Sequence, residues 1–293
     1  YCFAGPLGEI ESSLAAGTRE NPYELFRCLD DELWAVLLTK EYSGYPEIRK
    51  LLPGHPDPSL QIMWNGATGM KLAAQSAAFY RKLHEVQGEF GPTSLAGSRV
   101  LDFGVGWGRL ARFLARDLEP GNLYGCDPVE QILDVCREAG LPAELARSEF
   151  LPDSIPFEVD FDLVYSFSVF THISEVASNK CLAAIHASQS PGGLFVVTVR
   201  PPSYLQLSGM TDSVGDQLGP NPEEALKGSQ YLFVPHASDP EHPQFDGTEM
   251  HYGEAVITVP YIEENWSELY EIVDIGLSTS DMYQVPFTLR RRD

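Results

Sequence analysis

With 293 residues, 43% of them apolar, and thirteen tyrosines, the chain can bury the core of one large domain or of a domain with an extension. Its formal charge of -22, from 42 acidic against 20 basic residues, repels phosphate backbones and anionic lipid surfaces, so neither nucleic acid nor a membrane is expected as a partner. The five cysteines form no C-x-x-C pair, and no stretch approaches the ~20 apolar residues of a membrane span, which together suit a reduced, cytoplasmic protein without a zinc site.

Residues 1–20 are rich in Gly, Ala and Ser and read as a weakly anchored lead-in. Asn21, Pro22 and Glu24 then stand as N-cap, N1 and N3 of a helix, with Leu25, Phe26, Leu29, Leu33 and Val36 at helical spacing. A second short helix holds Ile48, Leu51 and Leu52 before Pro53-Gly54, and a third spans Gly66 to Val86 with Leu72, Phe79, Leu83 and Val86 on one face. Residues 1–95 thus form an N-terminal helical cap, and residues 96–293 the main domain.

The main domain begins with R-V-L-D-F-G-V-G-W-G-R-L. Val100, Leu101 and Phe103 are an apolar run that stops at glycine, as a buried parallel strand does. Gly104, Gly106 and Gly108 allow a sharp turn and close approach of a ligand, and Leu110, Phe113 and Leu114 begin a helix. Strand, glycine turn and helix N-terminus make a pocket for a polar cofactor. A dinucleotide fingerprint requires a third glycine where Arg109 stands, so the pattern is D-x-G-x-G-x-G instead.

This stretch resembles the first motif of the class I S-adenosylmethionine-dependent methyltransferases. The resemblance implies S-adenosylmethionine as cofactor, Asp102 near its methionine amino group, and the acid ending the next strand on its ribose. Asp127, closing the run Leu123 to Cys126, stands in that place and can accept from both hydroxyls of a diol. The resemblance also places Ser148-Glu149-Phe150, after a third strand Ala143 to Ala146, at the adenine, with Glu149 and Phe150 as contacts. It sets the turn from Ser166 to His172, which follows the strand begun by Asp162, beside the sulfonium, making Ser166 a further cofactor contact. Trp64, in Q-I-M-W-N-G-A-T-G-M, either covers the methionine end of the cofactor or packs the helical cap onto the sheet.

Asn179 to His186 forms the next helix, and Ser190-Pro191-Gly192-Gly193 the turn into a fifth strand, Leu194 to Val199. The alternation is that of a doubly wound α/β sheet. From Arg200 to Gly253 the pattern breaks into a long insertion crowded with Pro, Gly and Asp, of a kind that carries function or covers a site. Beyond it come an extended segment, Ala255 to Val259, a helix, Pro260 to Leu269, and two strands, Ile272 to Ile275 and Val285 to Leu289. The resemblance completes this as a seven-stranded Rossmann-like sheet, mostly parallel with an antiparallel last strand.

Methyl transfer to oxygen needs a base. His172, in the turn after the fourth strand, is either that base or a residue that caps the next helix or bonds the backbone, and His251 is the second candidate. Arg200 is a potential clamp for an acidic substrate. His236, His242 and Asp246 match no compact metal-ligand spacing, so no metal is expected. The expected function is methyl transfer from S-adenosylmethionine to oxygen or nitrogen of a small molecule, a metabolite or saccharide. A catalytically inactive binding protein of the same fold and a nicotinamide-dinucleotide oxidoreductase are the alternatives.

Overall fold

The computed structural model describes residues 4–17, 19–39, 44–276 and 283–293. The apolar runs become the strands β1 (Val100–Phe103), β2 (Leu123–Asp127), β3 (Glu144–Arg147), β4 (Phe161–Ser166) and β5 (Gln189–Val199). They pair in parallel in the order β3-β2-β1-β4-β5. Two strands close the sheet. β9 (Val285–Arg291) runs antiparallel to β5, and β8 (Tyr270–Ile275) pairs antiparallel to β9 at the edge. The insertion adds a separate two-stranded sheet of β6 (Tyr231–Pro235) and β7 (Gly253–Ile257).

The period of two along the central strands splits the core. Val100, Leu163 and Val196 face the N-terminal helices, whereas Leu101, Val164 and Val197 face the helices α8 (Glu175–Ala187) and α12 (Val259–Asn265). Both faces being covered explains why β1 and β4 read as continuous apolar runs. The expected turn at Pro191-Gly192-Gly193 lies within β5, where the register with β4 shifts between Phe161 and Leu163 and Gly192 takes φ +71°. The glycines therefore make an irregularity that bends the strand, not its start.

The extension is more ordered than its composition suggests. Residues 1–20 are not a loose lead-in, because Ala4–Ala15 form a helix, α1, whose Leu7 and Ile10 are buried in the same core as Trp34 and Ile48. Glu11 of α1 accepts the backbone N–H groups of Glu47 and Ile48 at 2.8 and 2.9 Å, holding the N-terminus of α3 (Pro46–Leu51). The single helix expected after Asn21 is two. A 3₁₀ turn, Pro22–Cys28, ends at Leu29, and Asp30 caps α2 (Asp31–Leu37) by accepting from Leu33 N at 2.7 Å. The third helix begins at Gly69 and not at Gly66. Gly66 is the left-handed C-cap, φ +66°, of another short helix, α4 (Pro58–Asn65), and α5 runs from Gly69 to Phe90.

The 200–253 insertion is also structured. It contains the helices α9 (Ser203–Ser208), α10 (Gly215–Leu218) and α11 (Pro222–Ala225) ahead of β6, packed around Leu205, Val214, Leu218, Leu232 and Val256. Its hydrophobic positions are spread too thinly along the chain to show a helical or strand period.

One buried cation ties the extension to the main domain. Arg116, after the helix α6 (Ala111–Leu114), donates to Tyr80 Oη at 2.9 Å, to the Leu29 carbonyl at 2.9 Å and to Asp31 Oδ1 at 2.5 Å. Replacing Arg116 by Ala strands these acceptors in a low-dielectric interior, so stability measured by urea unfolding should fall by about 2 to 4 kcal/mol. A loss below about 1 kcal/mol would show that apolar contacts alone hold the extension.

Candidate functional site

A cleft opens at the carboxyl edge of the parallel strands, where the chain leaves β1 toward one side and β4 toward the other. It holds about 1130 Å³ of free space counting its open mouth.

The glycines of the turn after β1 have different tasks. All three take positive φ, +81° at Gly104, +51° at Gly106 and +78° at Gly108. A Cβ on Gly104 would stand 2.2 Å from Val169 Cγ2, and one on Gly108 would stand 2.7 Å from Leu141 Cδ2. At Gly106 the nearest atom is Trp64 Cε3 at an ordinary 3.8 Å. Gly104 thus lets the turn after β4 close against β1, while Gly106 leaves space. Gly108 does not line the cleft with them and serves packing.

Asp127 braces this turn. Its Oδ2 accepts from Gly106 N at 3.1 Å and its Oδ1 from Val129 N at 3.0 Å, which fixes the carboxylate at the cleft floor. Burial raises its pKa to about 6 against the pull of those two hydrogen bonds. Asp102 lies deeper, accepting from Tyr165 Oη at 2.9 Å, and burial raises its pKa to about 8, offset in part by that bond and by the charge of Arg109. A buried carboxyl raised so far, on the wall of a cleft, suits a cationic ligand group such as an ammonium. Asp127 still has lone pairs for a diol.

Glu149 and Phe150 lie on the same wall after β3. Trp64 stands at the end of α4, 36% exposed, over Gly106, and Trp107 Nε1 donates to its neighbour Asn65 at 2.6 Å. The tryptophan is therefore a cover on the cleft and not part of the interior. Ser166 is different. It is fully buried, lies off the cleft wall and donates to the Phe103 carbonyl at 3.0 Å, so it joins β4 to β1.

His172 is on the wall, but its ring is committed. Nδ1 donates to the Gly253 carbonyl at 2.8 Å, which leaves the lone pair on Nε2, and Arg200 Nη2 donates to that at 3.0 Å. Burial and then the Arg200 charge lower its pKa to about 4. Neutral, stacked on Tyr252 at 5.3 Å and without a free lone pair, His172 links the turn to β7. Arg200 is no substrate clamp either. It is buried, ion-paired with Glu254, bonded to the Thr171 carbonyl at 2.7 Å and stacked on Tyr204 at 4.3 Å. His251 keeps a place on the wall, with Nδ1 2.8 Å from Ser174 Oγ and Nε2 3.4 Å from Asp246 Oδ2. His236 and His242 pack against the Tyr252 ring at 5.2 and 5.6 Å. Among the described residues no three His, Cys, Asp or Glu side chains converge as metal ligands.

Several wall residues escaped the sequence reading. Arg109, its guanidinium 4.6 Å over Phe167, and Tyr252 and Gln244 from the insertion all face the cleft. The glycine motif itself pointed to Arg109, since it fills the position of the missing third glycine.

The steric split predicts opposite behaviours. Gly104→Ala combines left-handed strain with the Val169 collision and should lower stability by about 2 to 5 kcal/mol. Gly106→Ala meets strain alone and should cost about 1 to 2 kcal/mol. Equal losses in chemical denaturation would contradict the separate tasks.

Part of the chain is similar to known proteins. A family profile described as a methyltransferase domain matches residues 100–193. The ubiquinone biosynthesis O-methyltransferase of Methylobacterium sp. (strain 4-46) is 33% identical over 116 residues, 38% of this chain and 45% of that one. The enzyme of the same name from Methylococcus capsulatus is 36% identical over 107 residues, 34% of this chain and 43% of that one. The chain thus spans less than half the length of the curated relatives it matches. The crystal structure of an S-adenosylmethionine-dependent methyltransferase from Clostridium acetobutylicum superposes with a TM-score of 0.50 at 15% identity, covering 80% of this chain and 96% of that one, and shows the same fold. The matched segment, residues 100–193, holds the glycine turn and the strands β1 to β4 and is similar to a methyltransferase domain.

Proposed function

We propose that the chain transfers the methyl group of S-adenosylmethionine to a hydroxyl oxygen of a small molecule. The observation that carries this is the meeting, on one cleft wall, of the Gly104–Gly106 turn with its two buried acids and of His251 from the insertion. When bound, the cofactor supplies a sulfonium methyl electrophile. Asp127 holds the ribose diol, Asp102 the amino group, and Glu149 with Phe150 the adenine end, while Trp64 covers the opening. His251 takes the proton that a hydroxyl must lose. The roof formed by the insertion, with Gln244 and Tyr252 on its inner side, favours a compact acceptor over a polymer, as does the charge of -22. The O-methyltransferase names of the two curated relatives agree with oxygen as the acceptor atom.

Calorimetry against S-adenosylmethionine and NAD, followed by methyl release with a panel of phenols, sugars and amines, tests this reading. S-Adenosylmethionine should bind and NAD should not, and at least one hydroxyl compound should accept the methyl group. His251→Gln should then lose roughly 10²-fold or more in kcat with cofactor affinity unchanged. Binding of NAD alone would sink the proposal.

Asp102 makes a second outcome. At pH 7 its carboxyl, raised to about 8, is largely protonated, and a cofactor ammonium must displace that proton. Affinity should therefore rise about tenfold per pH unit from pH 6.5 toward 8 and level off above, and Asp102→Asn should be weak and flat across that range. A pH-independent affinity in the native protein would place the ammonium elsewhere.

A further inference from the structure

Charge is unevenly spread over the cleft wall. Its carboxyl groups and its arginine, Asp102, Asp127, Glu149 and Arg109, all stand in β1 and β2 or in the segments that follow β1 and β3. From Phe167 onward, through the turn after β4, the first half of α8 and the insertion, the described wall residues include no lysine, arginine, aspartate or glutamate. His172 on this part of the wall is neutral, its pKa lowered to about 4 by burial and then by Arg200, and Arg200 itself is closed off by Glu254 and the Thr171 carbonyl.

This uncharged part has two kinds of surface. Phe167, Val169, Ile173, Ala177 and Cys181 make an apolar one, the Cys181 thiol being kept protonated by burial, which raises its pKa to about 12. The insertion makes a polar one. Among the described residues the Gln244 side-chain amide has no hydrogen-bond partner, since only its backbone N–H is used, donating to His242 Nδ1 at 3.1 Å. The Tyr252 hydroxyl has none among them either, although its ring is held by His172, His236 and His242 at 5.2 to 5.6 Å. Burial, and then the charge of Glu254, push the pKa of that hydroxyl up, so it remains a donor, and Asp127 at the cleft floor acts on it in the same direction.

These surfaces select by desolvation. A carboxylate or phosphate brought against them sheds its water with no cation to replace it. A saccharide carries hydroxyls around its whole rim, and the apolar surface leaves those that face it unpaired. A flat aromatic ring buries its faces at no such cost and presents its oxygens in one plane, where an amide and a hydroxyl can meet them. We propose that the acceptor is an uncharged aromatic compound with two neighbouring oxygens, its ring on Val169 and Ile173, one oxygen methylated and the other bound by Tyr252 and Gln244. The proposal rests on the reading of the chain as an O-methyltransferase. In that reaction the acceptor O–H bond breaks, its oxygen bonds to the methyl carbon, the electron pair of the broken carbon–sulfur bond stays on sulfur, and the proton goes to His251.

Paired acceptors and paired variants test this in the full chain with S-adenosylmethionine. Catechol and methyl 3,4-dihydroxybenzoate should be methylated, 3,4-dihydroxybenzoate should have a kcat/KM roughly 10²-fold or more below that of its ester, and methyl glucoside should not react. Tyr252→Phe should lower kcat/KM roughly tenfold for catechol and less than about twofold for phenol, which lacks the second oxygen. Gln244→Arg, which brings a cation to this part of the wall, should raise the ratio of acid to ester at least about tenfold. A native preference for the acid or for the glucoside overturns the acceptor class and leaves methyl transfer to a hydroxyl standing. Equal losses for catechol and phenol in Tyr252→Phe overturn the role given to Tyr252, because a merely structural effect does not depend on the second oxygen. Calorimetry separates the remaining case. Catechol that binds beside S-adenosylhomocysteine, and more weakly in Tyr252→Phe, supports the acceptor site even if no hydroxyl compound is methylated, and it is then the O-methyltransferase reading that fails. Absence of both binding and transfer overturns the two together.

Discussion

Everything at the cleft depends on burying two carboxyl groups at the ends of adjacent strands. Asp102 and Asp127 are 2% and 5% exposed, and desolvation is the leading cause of the raised pKa of each. A folded-state pKa above the unfolded value means a contribution to stability that is present at low pH and is lost as pH rises through the folded value. For Asp127 that loss runs from the ordinary value of 3.8 up to about pH 6, and for Asp102 from 3.8 up to about pH 8. The unliganded protein is therefore held back by its own site at neutral and alkaline pH. A ligand with a cation for one acid and hydroxyls for the other relieves this, which makes the cost of burial part of the binding specificity.

The sheet alone does not make the cleft. Its floor comes from the strand ends, its outer cover from the extension and its roof from the insertion, and each addition is tied down by a buried guanidinium. Arg116 joins the extension to the chain after α6 through Tyr80, Leu29 and Asp31, and Arg200 joins the base of the insertion to Thr171 and Glu254. Arginine suits both places because its fork of donors can satisfy several carbonyls and a carboxylate at once without losing its charge. The same satisfaction removes Arg200 from substrate binding.

What could be read from the sequence was what repeats at short range. Apolar runs ended by Gly104 or Asp127 gave strands, the alternation of strand and helix gave the doubly wound sheet, and only the family resemblance supplied its antiparallel closing strand. Turn chemistry marked Asn21 and Pro22, yet Asp30, a cap of the same kind nine residues later, divides what looked like one helix. The helix α1 was hidden by glycines that mask the spacing of Leu7, Ile10 and Leu14. Side-chain roles fixed by distant partners left no local trace. Ser166 reads as a site residue until Phe103, 63 residues away, claims its hydroxyl. His172 reads as a base until Gly253 and Arg200 take both ring nitrogens.

The two halves of the cleft are also mechanically one. The turn after β4 carries Ser168, which among the described residues is the non-glycine with positive φ, +67°, held by donation of its N–H to Thr198 Oγ1 at 2.8 Å. Such a conformation persists only where its surroundings impose it. From this turn a short ladder runs to the insertion: Gly253 N donates to the His172 carbonyl at 2.7 Å, Ala255 N to that of Thr171 at 2.9 Å, and Ile173 bridges to Tyr252. Val169, in the same turn, is the side chain that Gly104 exists to admit. The glycine turn thus fixes the post-β4 turn, and that turn fixes β7 and the residues just before it, His251 and Tyr252. A displacement on one side of the cleft is passed by packing and main-chain hydrogen bonds to the other, so residues off the cleft wall still set the alignment of its two sides.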